Sequence, residues 1–153
     1  MGYNEGKLVD TLNAHFHTNG IEAIAYRQKQ SRFSEQWVDI TVDSLDSEWY
    51  LAVEVKSKRG RRALNFNSDF TTNKDGEHQL ARMMSFCKLS GRTPYIVYYC
   101  RMGRGRPNEV YVLDGYELFL SYLNGNTSIK AKELSKYNKI RSNIYELIGD
   151  INE

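Results

Sequence analysis

Leu8, Val9, Leu12 and Phe16 recur at helical spacing, with Asn4 ahead of them as a cap and Gly20 behind as a stop. Residues 21–28 alternate enough between apolar and polar to predict a strand. Residues 31–36 form a polar loop. Residues 37–42 and 48–57 predict two further strands, and the short stretch 43–47 between them makes the pair an antiparallel hairpin. Residues 60–74 have no clear period, which for so long a loop means a functional segment or a hidden element. Asp75 precedes a second helix with Leu80, Met83, Met84 and Cys87 on one face and Gly91 past its end. Pro94 leads into an apolar strand over 95–100, and 109–113 is a further short strand. Asp114 caps a short helix containing Leu118, Phe119, Tyr122 and Leu123. In the tail, 129–148, the residues Leu134, Tyr137, Ile140, Ile144 and Leu147 again keep helical spacing.

This order predicts an α/β domain, a mixed β-sheet flanked by helices. The strand–helix–strand unit over 49–100 crosses over right-handed and places its two strands parallel. Residues 1–123 form the core, and 124–153 a C-terminal helical extension of the same domain. The 153 residues suit one domain, and the 41% hydrophobic and 26% charged shares are ordinary globular values. The two cysteines, Cys87 and Cys100, form no C-x-x-C pair and sit in apolar stretches, so they read as small buried hydrophobes. No apolar run approaches membrane length and no leader pattern opens the chain. The expectation is a cytoplasmic protein without a membrane partner.

The net charge of +2 says less than its distribution. Lys56, Lys58, Arg59, Arg61 and Arg62 crowd together, and Arg101, Arg104 and Arg106 form a second cluster broken by glycines and Pro107. Either cluster alone reads as a solvated surface; the two together point to nucleic acid phosphates.

The hairpin carries the chemistry. Side chains alternate along a strand, so Leu51, Val53 and Val55 face one way, and Ala52, Glu54 and Lys56 the other. With the turn centred between Asp46 and Ser47, Asp39 falls opposite Glu54, and opposed residues bring their Cβ atoms to about 4.5–5.5 Å. Two carboxylates so placed repel unless a cation lies between them. A divalent ion with oxygen ligands suits that position. An E-x-K triplet alone in a strand is common, and Asp39 at hairpin spacing gives it content. Glu5 lies on the apolar stripe of the first helix, as a partner for a metal site or as a first-turn acid at the helix dipole. Gln79 stands beside Leu80 on the second helix, either at the same site or as a surface residue.

The set Glu5, Asp39 and Glu54-Val55-Lys56 resembles the PD-(D/E)XK nuclease superfamily, and within it the archaeal-type Holliday junction resolvases. Glu5-Gly6-Lys7-Leu8-Val9 is similar to that family's first-helix signature, and Tyr50-Leu51-Ala52-Val53-Glu54-Val55-Lys56-Ser57 to its core strand. Ser31 resembles the family's mobile-loop serine, and Gln79 falls where the family has a polar residue on the next helix. Val38 departs from the proline of the superfamily name. The 60–74 segment and the tail are longer than a minimal resolvase needs.

The resemblance implies a restriction-endonuclease-like fold and Mg²⁺- or Mn²⁺-dependent hydrolysis of DNA phosphodiesters. It implies Asp39, Glu54, the Val55 carbonyl and Glu5 as metal ligands, and Lys56, Ser31 and Gln79 as further catalytic groups. Lys58, Arg59, Arg61, Arg62, Arg101, Arg104 and Arg106 would contact DNA, a four-way junction would be the substrate, and a homodimer would make the paired cuts. Tyr98, Tyr99, Tyr111 and Tyr116 suit the core or a dimer face. The competing readings are a restriction-type or single-strand nuclease of the same superfamily, virus-encoded ones among them, a non-catalytic DNA-binding relative, and an unrelated α/β binding protein with a solvated hairpin face.

Overall fold

A computed structural model describes residues 3–29 and 36–138. Helix α1 (Tyr3–Asn19) leads into β1 (Ala23–Arg27), β2 (Ile40–Ser44), β3 (Leu51–Arg59) and the short β4 (Leu64–Asn65). Helix α2 (Gln79–Ser90) is followed by β5 (Thr93–Arg101), β6 (Glu109–Asp114), α3 (Gly115–Leu123), β7 (Ser128–Ile129) and α4 (Leu134–Tyr137). Five strands form a mixed sheet in the order β1-β2-β3-β5-β6, and β4 pairs with β7 apart from it. Strands β3 and β5 are parallel, from Leu51 against Thr93 to Arg59 against Arg101, while the other neighbours are antiparallel. The α/β class, the mixed sheet with flanking helices and the parallel central pair are as expected from the periodicities.

The strands bury both faces, and alternation divides the core in two. On one face Leu8, Leu12 and Phe16 of α1 pack on Ile40, Val42, Leu51, Val53, Val97 and Val112. On the other, Leu80, Met83 and Cys87 of α2 and Leu118 of α3 pack on Ala52, Ile96, Tyr98, Cys100 and Leu113. Both cysteines are free and buried. Among the described residues no helix is long and apolar enough to cross a membrane.

Four local expectations need correcting. Helix α1 begins at Tyr3, so Asn4 lies within it and not ahead of it. Strand β2 starts at Ile40, not at residue 37, because the Trp37 and Val38 amides donate to the Gln28 side chain and not to a strand ladder. Asp75 does not cap α2. The Asn73 side chain accepts from the Asp75 and Glu77 amides and closes a turn, and His78 takes the cap with Nδ1 accepting from the Leu80 amide. That acceptor role leaves the proton on Nε2, which donates to the Phe66 carbonyl at 2.7 Å. In the tail, Ile129 belongs to β7, and a 3-10 turn at Ala131–Glu133 leads into the short α-helix Leu134–Tyr137; Ile140, Ile144 and Leu147 lie outside the described residues.

Residues 60–74 are the largest departure. They are built, with Leu64, Phe66 and Phe70 buried in the α2-side core. Their polar backbone is satisfied locally: Asp69 accepts from the Asn65 amide, and β4 pairs with β7 through Leu64 against Ile129.

Arg92 fastens the hairpin to the start of β5. It is 8% exposed, donates to the Val42 carbonyl at 2.7 Å, pairs with Asp43 and stacks its guanidinium 4.2 Å from the Tyr50 ring. Arg92→Leu removes the extra donor to the Val42 carbonyl, the pair with Asp43 and the stack on Tyr50, and is expected to lower the unfolding free energy by about 3 kcal/mol. Urea denaturation with an unchanged m-value checks this; a loss within about 0.5 kcal/mol, the range of an ordinary surface change, would contradict it.

Candidate active site

The register of the hairpin sets the geometry. Ile40 faces Val53, Thr41 faces Ala52 and Val42 faces Leu51, so one step past the last pair Asp39 comes opposite Glu54. Asp39 is held there by two donors. The Val55 amide gives a 2.8 Å hydrogen bond to Oδ2, and the Gln36 side chain a 3.0 Å bond to Oδ1. The Asp39 carboxylate therefore occupies the place on β3 where β2 has ceased to pair. In an extended strand a residue's N–H and C=O point to the same side, so the Val55 carbonyl opens toward Asp39 as well.

Glu54 is 4% exposed. Its Oε2 accepts from the Gln79 amide group and lies 3.2 Å from the Lys56 ammonium. Burial first, then the charge of Asp39, push its carboxyl up to about 8, against the opposing pull of Lys56. Lys56 donates in turn to Gln79 Oε1 at 3.2 Å, and its ammonium stands 4.7 Å from the Phe70 ring centre. Asp39, Glu54, Lys56 and Gln79 thus form one contiguous polar group on the α2 side of the sheet.

Glu5 approaches from α1. It is 6% exposed and pairs with Arg27 at the end of β1, at 2.9 Å. Burial and then the Asp39 charge raise its carboxyl above the usual range, with Arg27 pulling the other way. Among the described residues no three His, Cys, Asp or Glu side chains gather closely enough to hold one ion. Glu5 therefore stands beside the Asp39–Glu54 pair without completing a three-ligand cluster. Ser31 lies outside the described residues. A pocket of about 570 Å³ lined by Glu22, Ile24, Asp43 and Tyr50 lies at the far end of the hairpin and contains none of the candidate residues.

The basic residues separate into two groups. The parallel register sets Arg59 against Arg101, so the two sequence clusters meet at one end of the sheet, beyond Lys56. There Lys58 is engaged inside the fold, at 3.0 Å from both Asp69 and the Ala63 carbonyl, and Arg61 pairs with Glu109 on β6. Arg59, Arg62, Arg104 and Arg106 are exposed and make no ion pair among the described residues.

Sequence reasoning missed several supporting residues. Gln28 binds the Trp37 and Val38 amides and so aims the approach to Asp39, and Gln36 holds Asp39 directly. Phe70 and Thr71 reach Lys56 and Gln79 from the aperiodic segment. Neither glutamine forms part of a recognisable spacing, but Phe66 and Phe70, four apart in a polar stretch, were a visible sign of burial.

No protein-family model and no curated protein sequence matches the chain. Among solved structures it is similar to Hjc, a Holliday junction resolvase of the hyperthermophilic archaeon Archaeoglobus fulgidus, at 17% sequence identity over 72% of this chain and 77% of that one, with a TM-score of 0.44.

Proposed function

We propose that this protein is a metal-dependent DNA endonuclease of the PD-(D/E)XK type, acting as a dimer on four-way junctions. The reading rests above all on the pairing of Asp39 with a buried Glu54, flanked on the same face by Lys56. Two carboxylates set against each other in a buried place repel, and a cation between them relieves that repulsion. Asp39, Glu54 and the Val55 carbonyl suit Mg²⁺ or Mn²⁺, because Mg²⁺ is commonly bound through one or two carboxylates, with water and substrate phosphate completing its shell. A closed four-ligand zinc centre does not fit two carboxylates.

When bound, the ion supplies charge neutralisation at the phosphate and a more acidic water. The chain's own residues do the rest. The Val55 amide and Gln36 hold Asp39 in one orientation. Gln79 bridges Glu54 and Lys56, so the ammonium is aimed before DNA arrives. From there Lys56 donates to a nonbridging phosphate oxygen as negative charge builds, with no side-chain reorganisation to be made at that moment. Glu5, held by Arg27 beside the pair, would complete the metal shell or orient a water. Ser31, ahead of β2 in the chain, would add a phosphate contact. A symmetric dimer follows from the substrate, since a four-way junction needs paired cuts.

Exposed Arg59, Arg62, Arg104 and Arg106 extend the site along the backbone of an incoming duplex arm. The double variant Arg104→Ala/Arg106→Ala is expected to reduce the slope of log affinity against log salt by about 2, near one unit per lost phosphate contact. Lys58→Met should leave that slope unchanged and lower thermal stability, because Lys58 serves Asp69. Fluorescence anisotropy across a salt series distinguishes them; a slope change for Lys58→Met equal to that of the double variant would reverse the assignment.

Substrate choice is tested by cleavage of a labelled four-way junction, linear duplex and single strand with Mg²⁺. Preferential symmetric nicking of the junction supports the resolvase reading. Equal cutting of all three would leave a general nuclease of the same superfamily, and binding without cutting would leave a non-catalytic relative.

A further inference from the structure

Residues 60–78 separate β3 from α2, yet they return to the site. The ring of Phe70, 3% exposed, lies against the Lys56 ammonium with 4.7 Å between the nitrogen and the ring centre. Next to it, Thr71 clamps Gln79 from both ends: its amide donates to Gln79 Oε1 at 3.1 Å, and its carbonyl accepts from the Gln79 amide at 2.8 Å. The same Oε1 accepts from Lys56, so one oxygen is shared by the segment's backbone and the ammonium. The segment is itself anchored. Lys58 holds Asp69 at 3.0 Å, the residue before Phe70, and β4 is paired to β7 beyond α3. His78, capping α2, donates to the Phe66 carbonyl and stacks on Tyr122 with ring centres 4.2 Å apart. Each anchor lies outside the polar group it serves.

We propose that the segment between β3 and α2 is a built wall of the active site, and that Phe70 is a positioning residue that fixes the Lys56 ammonium while Thr71 fixes Gln79. The proposal rests on the nuclease reading above. A lysine ammonium on a flexible four-carbon stem carries side-chain entropy that a productive hydrogen bond must overcome. An aromatic face attracts the cation in its place and turns the remaining donors toward Glu54, Gln79 and the phosphate. The segment thereby supplies orientation, and β7, paired with β4, is part of the support.

The test replaces Phe70 by mono-, di- and trifluorophenylalanine, which keep the shape and progressively weaken the ring's attraction for a cation, alongside Phe70→Leu. Expected is a stepwise fall in kcat, reaching about tenfold in the trifluoro protein and in Phe70→Leu, with KM changed less than about twofold, as loss of a desolvated cation–π contact of roughly 1–2 kcal/mol implies. The Lys56 methylene protons are read by NMR in the same proteins. Ring-current upfield shifts should be present in the wild type and the fluorinated series and absent in Phe70→Leu. A flat kcat series across folded proteins would overturn the positioning role. Unshifted Lys56 protons in the wild type would overturn the contact whether or not the protein cleaves DNA, and a shifted Lys56 in a wild type inert on every DNA would instead overturn the nuclease reading.

Discussion

Asp39→Ala is expected to lower Mg²⁺-dependent cleavage by at least about a thousandfold, the scale of several kcal/mol of lost charge stabilisation. The loss has two sources. One is the proposed ligand oxygen. The other is the geometry of β3, because the Val55 amide loses its acceptor at the point where β2 stops pairing. The second source costs little stability, since Asp39 is half-buried and water can reach the vacated amide. The variant should therefore stay folded, within about 1–2 kcal/mol of the wild type, while cleavage disappears. Circular dichroism and a cleavage time course on the same preparation check both halves. Retained Mg²⁺-dependent cleavage in Asp39→Ala would remove the site assignment altogether.

Glu54→Gln separates function from stability more sharply. Cleavage should again fall by about a thousandfold or more, because a neutral amide cannot hold the ion as the carboxylate does. Stability should move the other way above neutral pH. Glu54 is pushed up to about 8 in the folded protein, first by burial and then by Asp39. Unfolded, a glutamate titrates near about 4.3. Between those values the folded chain holds a proton that the unfolded chain has released, so wild-type stability falls as pH rises through that window and levels above it. Glu54→Gln lacks this term. In EDTA its melting temperature should be close to wild type at pH 5 and exceed it at pH 9 by more than about 5 °C, as a gain of a few kcal/mol in a domain of this size implies. A gap that is constant or reversed between those pH values would show that Glu54 is an ordinary ionised carboxylate. The same proton makes ion binding pH-dependent: a metal must displace it, so affinity should rise as pH climbs toward 8.

The hairpin was legible because two independent rules agreed on it. Alternation put Glu54 and Lys56 on one face, and a turn centred at Asp46 and Ser47 fixed the register that brings Asp39 across from Glu54. Leu8, Leu12 and Phe16 likewise announced α1, and Asp114 its role as the cap of α3. What sequence could not show were contacts made by single side chains across long separations. Glu5 needed a partner on its apolar stripe, and Arg27 is one, reachable only once β1 lies beside α1. His78 displaced Asp75 as the α2 cap because an Asn73 turn took Asp75 first. The aperiodic 60–74 segment hid its role for the same reason: Phe70 and Thr71 meet Lys56 and Gln79 through tertiary contacts, which leave no period. The ion pair of Lys58 with Asp69, 3.0 Å apart, is another such contact that its charged sequence neighbours do not reveal.

The most direct measurement is a Mn²⁺ titration at pH 8 followed by the electron paramagnetic resonance signal of the free ion. The wild type should deplete that signal, and Asp39→Ala and Glu54→Gln should leave it close to the protein-free level. Equal depletion by the wild type and both variants, or no depletion by the wild type in the presence of four-way junction DNA, would contradict a metal site built on Asp39 and Glu54.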